Sequence, residues 1–118
     1  MVLFLVIILL VVERFILFIQ NCDIIVVSLN ADLFRVNLVI DSSCLCGWPL
    51  EDAIHYFLEC PLYLNFRVEL MRNTQFVTFS IENILFGNET LSDEQNKVLF
   101  RNVHSYIKKT KRFRIIKQ

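Results

Sequence analysis

Three cysteines and one histidine occur close together in the middle of this chain, as Cys44, Cys46, His55 and Cys60. Three thiols and one imidazole form a ligand set that is typical of a closed tetrahedral zinc site. The whole chain has 118 residues, which is room for one domain. A group as small as the one around these residues cannot bury much core, and a bound metal would take the place of that core. The cluster therefore constrains the fold more than any other feature of the sequence.

The four cysteines of the chain admit two other interpretations besides a metal site. In an oxidising compartment they would form two disulfides, with three connectivities to choose from. In a reducing compartment they would pack as small apolar side chains. Two observations favour the metal: a single residue separates Cys44 from Cys46, which makes a bond between these thiols awkward, and His55 lies where a fourth ligand is needed, whereas Cys22 stands apart. The sequence thus favours zinc, and all three interpretations stay open at this stage.

The residues that follow the second cysteine predict a tight turn and then a helix. Gly47 gives the backbone the freedom to bend sharply, since glycine tolerates positive φ. Residues 50–60 have the pattern of a helix. His55 and Cys60 are five residues apart, which is about 500° around an ideal α-helix, so they share a face only if the helix unwinds at its end. Pro61 favours such unwinding, because proline pushes the residue before it out of the α region.

The N-terminal segment is strongly hydrophobic. Residues 1–19 are apolar except for Glu13 and Arg14. The run has about the length that crosses a bilayer core, and its summed insertion free energy is marginally favourable even with the two charges. The same composition suits a buried strand or helix, since β-branched residues favour strands, or a stretch outside any natural folded unit. A short strand is predicted over residues 23–28. We therefore divide the chain into a hydrophobic N-terminal segment and a C-terminal module, residues 1–28 and 29–118.

Helical patterns dominate the C-terminal module. After the helix that carries His55, apolar residues recur at helical spacing in three more segments, which cover about residues 61–72, 81–86 and 93–109. Ser80 is suited to cap the second of them, and Ser92 with Gln95 makes a capping box for the third. His104, on this last helix without a cysteine nearby, is interpreted as a surface residue. The predicted fold class is mostly α: a small helical module with a Cys/Cys/His/Cys knuckle, preceded by the hydrophobic segment.

A basic segment closes the chain. The formal net charge is zero, yet no acidic residue occurs from Arg101 to the C-terminus. The segment predicts a salt-sensitive contact with nucleic acid that would neutralise about three to five phosphates, and Tyr106 and Phe113 are candidates to stack on unpaired bases. The alternative is a solvated C-terminus that complements a helix dipole. The candidate nucleic-acid ligands are Lys108, Lys109, Lys111, Arg112 and Arg114.

Short motifs surround the cluster in a fixed order, namely Leu33-Phe34-Arg35, Cys44-Leu45-Cys46-Gly47, Glu51-Asp52, His55-Tyr56, Glu59-Cys60-Pro61, Tyr63 and Arg67. In this order they resemble the zinc-binding region that follows the reverse transcriptase domain of non-LTR retrotransposons. The stretch after them is similar to the tail found in invertebrate members of that group, so the resemblance covers about residues 29–114. It implies a function in gripping template RNA or target DNA, or in completing the C-terminal structure of a polymerase. It also implies the metal ligands Cys44, Cys46, His55 and Cys60.

The chain departs from that family in what it lacks. A reverse transcriptase needs paired metal-binding aspartates, whereas this sequence has no Asp-Asp pair and its 118 residues cannot hold the polymerase domain. No endonuclease fits either, so we expect no enzymatic activity. The predicted function is a non-catalytic zinc-binding module that interacts with RNA or DNA, a remnant of a retrotransposon reverse transcriptase in the nucleus or cytoplasm. The alternative is a small single-pass membrane protein with structural cysteines, inserted through residues 1–19. The sequence does not indicate an oligomeric state.

Overall fold

Helices form most of the regular structure. The computed structural model describes residues 6–7, 16–20, 23–27, 29–35, 37–113 and 115–117. The α-helices are α1 (Asn30–Arg35), α2 (Leu64–Asn73), α3 (Ile81–Phe86) and α4 (Asp93–Thr110). Between α1 and α2 lie a π-helical segment, His55–Glu59, and a single 3₁₀ turn, Pro61–Tyr63. The prediction of a mostly α fold with a Cys/Cys/His/Cys cluster is confirmed.

A small antiparallel sheet accompanies the helices. Its strands lie in the order β1 (Val6–Ile7), β2 (Ile16–Gln20), β3 (Asp23–Val27) and β4 (Ile115–Lys117). Asp23 is paired with Gln20 on one side and with Lys117 on the other. The strand predicted over residues 23–28 is therefore confirmed up to Val27, whereas β4 was not predicted. The sheet combines strands from both sides of the proposed boundary at residue 28, and that boundary stays a prediction.

The hypothesis of a membrane span concerns residues 1–19, most of which lie outside the described residues. The parts that are described belong to strands β1 and β2. Within the described ranges, no helix combines the length and the apolar character needed to cross a bilayer.

The predicted helix starts are present in the C-terminal part. The Ser80 hydroxyl accepts a hydrogen bond from the amide of Asn83 at 3.3 Å, at the start of α3. At the start of α4, Ser92 and Gln95 bond each other reciprocally: the Gln95 amide donates to the Ser92 hydroxyl at 3.1 Å, and the Ser92 amide donates to Gln95 Oε1 at 3.0 Å. The capping box is thus confirmed, and it satisfies two amides that a helix start would otherwise leave unpaired.

Tyr56 lies at the centre of an aromatic core. Its ring makes edge-to-face contacts with four other rings, at centroid distances of 4.7, 5.3, 5.4 and 5.0 Å, and these rings belong to Phe57, Tyr63, Tyr106 and Phe113. The hydroxyl of Tyr106 donates to the main-chain oxygen of Tyr56 at 2.6 Å. Because Tyr56 follows His55 directly, this core fixes the histidine-bearing segment against α4.

Two residues of α4 lie in the core rather than on the surface. Tyr106 is 2% exposed, so it is not placed to stack on a base. His104 is 7% exposed, and its interpretation as a surface residue is wrong. Helix α4 contacts strand β2 as well as α2, and no local pattern indicates that a strand from the N-terminal segment lies against this helix.

Candidate metal centre

The four predicted ligands lie together. The Sγ atoms of Cys44 and Cys60 are 3.7 Å apart, and Sγ of Cys46 lies 3.2 Å from Nε2 of His55. All four ligand atoms lie within 4.8 Å of one another. With zinc–sulfur bonds of about 2.3 Å and zinc–nitrogen bonds of about 2.0 Å, an ideal tetrahedron separates two sulfurs by about 3.8 Å and sulfur from nitrogen by about 3.5 Å. The four residues are thus close enough to hold a metal ion, with spacings compatible with zinc.

A tight turn brings the first two cysteines to the same side. The amide of Gly47 donates to the main-chain oxygen of Cys44 at 2.9 Å, and the amide of Cys44 donates to the main-chain oxygen of Trp48 at 2.8 Å. Gly47 has a φ of +99°, in a region that residues with a Cβ rarely adopt. The predicted need for glycine after Cys46 is confirmed. The turn that Gly47 permits directs the thiols of Cys44 and Cys46 to the same site, although only one residue separates them.

The spacing between His55 and Cys60 is accommodated by a π-helical segment. The amide of Cys60 donates to the main-chain oxygen of His55 at 2.7 Å, which is the i→i+5 bond of a π-helix. Five residues of an ordinary α-helix would turn too far, by about 140° past one full circle. The wider π turn brings positions i and i+5 closer to alignment. At Cys60 the backbone becomes extended, with φ −66° and ψ 122°, as Pro61 predicts.

Side chains outside the ligand set hold this segment at both ends. At its start, Asp52 Oδ1 accepts a hydrogen bond from the amide of His55 at 2.8 Å. At its end, the buried guanidinium of Arg67 donates through Nε to the oxygen of Phe57 at 3.1 Å and through Nη2 to the oxygen of Cys60. Arg67 thereby bonds two main-chain carbonyls and fixes the chain at the last ligand.

The thiols differ in burial and in proton affinity. Cys44 and Cys60 are buried, whereas Cys46 is partly exposed. Burial raises the pKa of Cys44 to about 12 and also raises the pKa of Cys60. The Trp48 amide, as a hydrogen-bond donor, lowers the pKa of Cys46. A bound cation would favour the thiolate at all three positions, since metal ligation deprotonates cysteine.

One side of the centre opens to solvent. A cavity of about 570 Å³ is lined by Cys46, Gly47, Trp48, His55, Glu59 and Pro61. The indole of Trp48 stacks against the imidazole of His55, with a centroid distance of 5.9 Å and an interplanar angle of 6°. Trp48 is itself 53% exposed. The indole therefore limits how the imidazole can rotate while leaving the cavity open.

Glu51 anchors the region in a way that sequence reasoning missed. Its side chain is 1% exposed and accepts hydrogen bonds from Arg112 Nε at 2.8 Å and from Arg112 Nη2 at 2.6 Å. It also accepts the amide of Asn30, at the start of α1, at 2.8 Å. The pair raises the pKa of Arg112. The sequence did not indicate this pairing, because Asn30 and Arg112 lie 21 and 61 residues from Glu51 in the chain.

The predicted nucleic-acid ligands are not equivalent. Arg112 is paired with Glu51, and Lys109 Nζ lies 2.9 and 2.8 Å from the two carboxylate oxygens of Glu69. Lys108, Lys109 and Lys111 are all exposed at the end of α4. Arg114 lies outside the described residues.

No family model, curated protein or solved structure shows significant similarity to this chain. The interpretation of the centre therefore rests on its own geometry and chemistry.

Proposed function

We propose that this chain is a non-catalytic module in which four side chains hold one Zn²⁺, and that the module interacts with nucleic acid. The observation that carries the zinc site is the mutual approach of Cys44, Cys46, His55 and Cys60, whose ligand atoms all lie within 4.8 Å. Three thiolates and one imidazole suit zinc, since soft sulfur ligands select it over magnesium or calcium.

A structural role follows from the number of ligands. Four protein ligands fill a tetrahedral zinc ion, whereas catalytic zinc keeps one position for water or substrate. The ion would join the Cys44–Cys46 turn to the π-helical segment, so that both pieces of chain share one fixed point. Because such a site does not exist in the unfolded chain, zinc binding contributes directly to folding.

Zinc stoichiometry of the purified full chain tests this site. We expect one zinc per chain by elemental analysis and, after exchange for Co²⁺, the absorption of tetrahedral thiolate-bound cobalt. Cys60→Ser should lose the metal, whereas the matched control Cys22→Ser should keep it, because Cys22 is far from the four ligands in the sequence. A wild-type chain without zinc, or a Cys60→Ser chain with full occupancy, would contradict the proposal.

Exposed cations on α4 support the interaction with nucleic acid. Arg101 and Lys108 are exposed and seven residues apart, which places them within about 20° on one face of the helix. Lys111, also exposed, follows at the end of the helix. Three such charges can bind phosphates without reading the base sequence. The affinity then comes largely from the release of counterions.

Fluorescence anisotropy at several salt concentrations measures this interaction. With a labelled single-stranded RNA, three phosphate contacts predict a slope of log K against log salt of about −2. A variant with Arg101→Gln, Lys108→Gln and Lys111→Gln should lose most of the affinity. Arg72→Gln, an exposed cation on α2, is the control for charge loss elsewhere. If the wild-type chain does not bind the RNA, or if the triple variant binds it as wild type does, the α4 surface is not the binding site. A parallel titration with a labelled DNA duplex shows which nucleic acid is preferred.

The proposed origin is a retrotransposon reverse transcriptase. Its support is the order of motifs around the cluster, together with the position of Arg67, a motif residue that binds the main chain at Cys60. Sequencing of transcripts that contain this reading frame tests the origin. Upstream codons for a polymerase with paired aspartates would support it, and unrelated coding sequence in every transcript would contradict it.

A further inference from the structure

One polar atom of the metal centre has no hydrogen-bond partner. Nδ1 of His55 is buried and unsatisfied, although the other ring nitrogen lies 3.2 Å from Sγ of Cys46. Buried polar atoms without partners are rare in proteins, and each one calls for a physical explanation. Here the carboxylate of Glu59 is close by, with its Oε1 at 3.7 Å from Nδ1. That distance is too long for a hydrogen bond.

The chemistry of metal binding determines what Nδ1 needs. Only a neutral imidazole binds a metal, through the nitrogen that carries no proton. Since Nε2 faces the thiol of Cys46, Nε2 is the ligand atom and Nδ1 carries the proton. A metal-bound histidine usually donates that proton to a carboxylate, a carbonyl or water. His55 therefore requires an acceptor on the Nδ1 side once the ion is bound.

Glu59 is the side chain placed to supply it. It lies four residues after His55 and lines the same cavity. Its side chain is 55% exposed, so it can turn towards the ring by the ~0.8 Å that a hydrogen bond requires. The neighbouring carboxylate, Asp52, is already engaged as acceptor for the amide of His55. Trp48 stacks on the face of the ring and offers no acceptor there.

We propose that Glu59 is a positioning residue of the metal centre, whose carboxylate accepts a hydrogen bond from Nδ1 of His55 when Nε2 binds the ion. This inference rests on the zinc site proposed above. The bond holds the imidazole in the tautomer and orientation that bind zinc. The negative charge of the carboxylate also makes Nε2 a better electron-pair donor to the metal. Glu59 thus raises zinc affinity without contacting the ion.

Competition with a chromophoric chelator, on the full chain, measures the effect. Removing an outer partner of a metal ligand typically costs 10- to 100-fold in affinity, and we expect a loss in that range for Glu59→Ala. The zinc affinity of Glu59→Gln should lie between that of wild type and that of Glu59→Ala, because the glutamine amide oxygen can accept the same hydrogen bond without carrying a charge. The matched control is Glu82→Ala, an exposed glutamate on α3, and it should bind zinc as wild type does. Circular dichroism of each zinc-loaded variant shows that the fold is retained.

A spectroscopic readout separates positioning from general stability. In ¹H–¹⁵N spectra of the zinc-loaded chain, the Nδ1 proton of His55 should be visible and slow to exchange, and Glu59→Ala should speed its exchange. Wild-type zinc affinity in Glu59→Ala would overturn the inference while leaving the zinc site intact. If the wild-type chain binds no zinc, the proposed function fails first, and the inference fails with it.

Discussion

The metal centre and the basic end of α4 differ in how local their structure is. Between Cys44 and Cys60, the turn at Gly47, the break before Pro61 and the ligand set all follow from neighbours in the sequence. Between residues 101 and 113, the surroundings of the paired charges depend on distant partners. Arg112 is held by Glu51 and Lys109 by Glu69, 61 and 40 residues away. Local patterns therefore predicted the cluster, whereas the charge pattern did not indicate which cations of the basic end are paired.

Removal of zinc should have the largest effect on the stability of the chain. A zinc ion held by the proposed site would stabilise the folded chain, because the site does not exist in the unfolded one. At a free zinc concentration of about 1,000 times Kd, binding stabilises the folded chain by about 4 kcal/mol. We expect chelation to lower Tm by about 15 °C, roughly the shift that this energy gives for a chain of such size. Thermal unfolding followed by circular dichroism, with and without chelator, measures the shift.

An unchanged Tm after chelation would show that the local cluster does not organise the fold. The aromatic core around Tyr56 would then be sufficient by itself. The control is a chelated Cys60→Ser chain, in which further chelator should change nothing because no site remains.

Loss of the Glu51 carboxylate should have the next largest effect. Glu51→Gln leaves the guanidinium of Arg112, whose side chain is only 19% exposed, without its counter-charge. Breaking such a buried pair typically costs about 3–5 kcal/mol. Urea unfolding of the zinc-loaded chain measures the free energy of unfolding. The double variant Glu51→Gln/Arg112→Gln should recover part of the loss, since no unpaired charge then remains buried. A loss below about 1 kcal/mol would mean that the Glu51–Arg112 pair contributes little to the free energy of unfolding.

The difference between local and distant partners explains which features the sequence alone could predict. The glycine turn, the extended residue before Pro61 and both serine caps are encoded within a few residues, and all are present. The four predicted ligands also lie close together. The π-helical segment was not predicted, because the five-residue spacing indicated only that an ordinary helix must be broken. Strand β4 and the burial of His104 were also missed. Strand β4 depends on its pairing with β3, a strand about 90 residues earlier in the sequence, and no local pattern indicates that pairing.

A smaller effect is expected for the glycine of the turn. A Cβ added at Gly47 would have no heavy atom within 4 Å, so Gly47→Ala tests backbone strain rather than a steric clash. At a φ of +99° a Cβ costs about 1–2 kcal/mol. We expect zinc affinity to fall about 10-fold, the equivalent of about 1.4 kcal/mol, since the strained turn no longer presents Cys44 and Cys46 together. Chelator competition measures it, and an unchanged affinity would show that the turn adapts to alanine.

The smallest effect concerns the ion pair on the surface. Lys109 and Glu69 are 43% and 44% exposed, so their pairing should contribute no more than about 1 kcal/mol to stability. Lys109→Gln therefore tests whether pairing removes a cation from the nucleic-acid surface. If Glu69 retains Lys109, the salt slope with single-stranded RNA should stay as in wild type, whereas Lys111→Gln should change it by about 0.7, the value of one phosphate contact. An equal change in both variants would show that nucleic acid competes successfully with Glu69. Distant partners would then decide the resting structure of the basic end, but not what it binds.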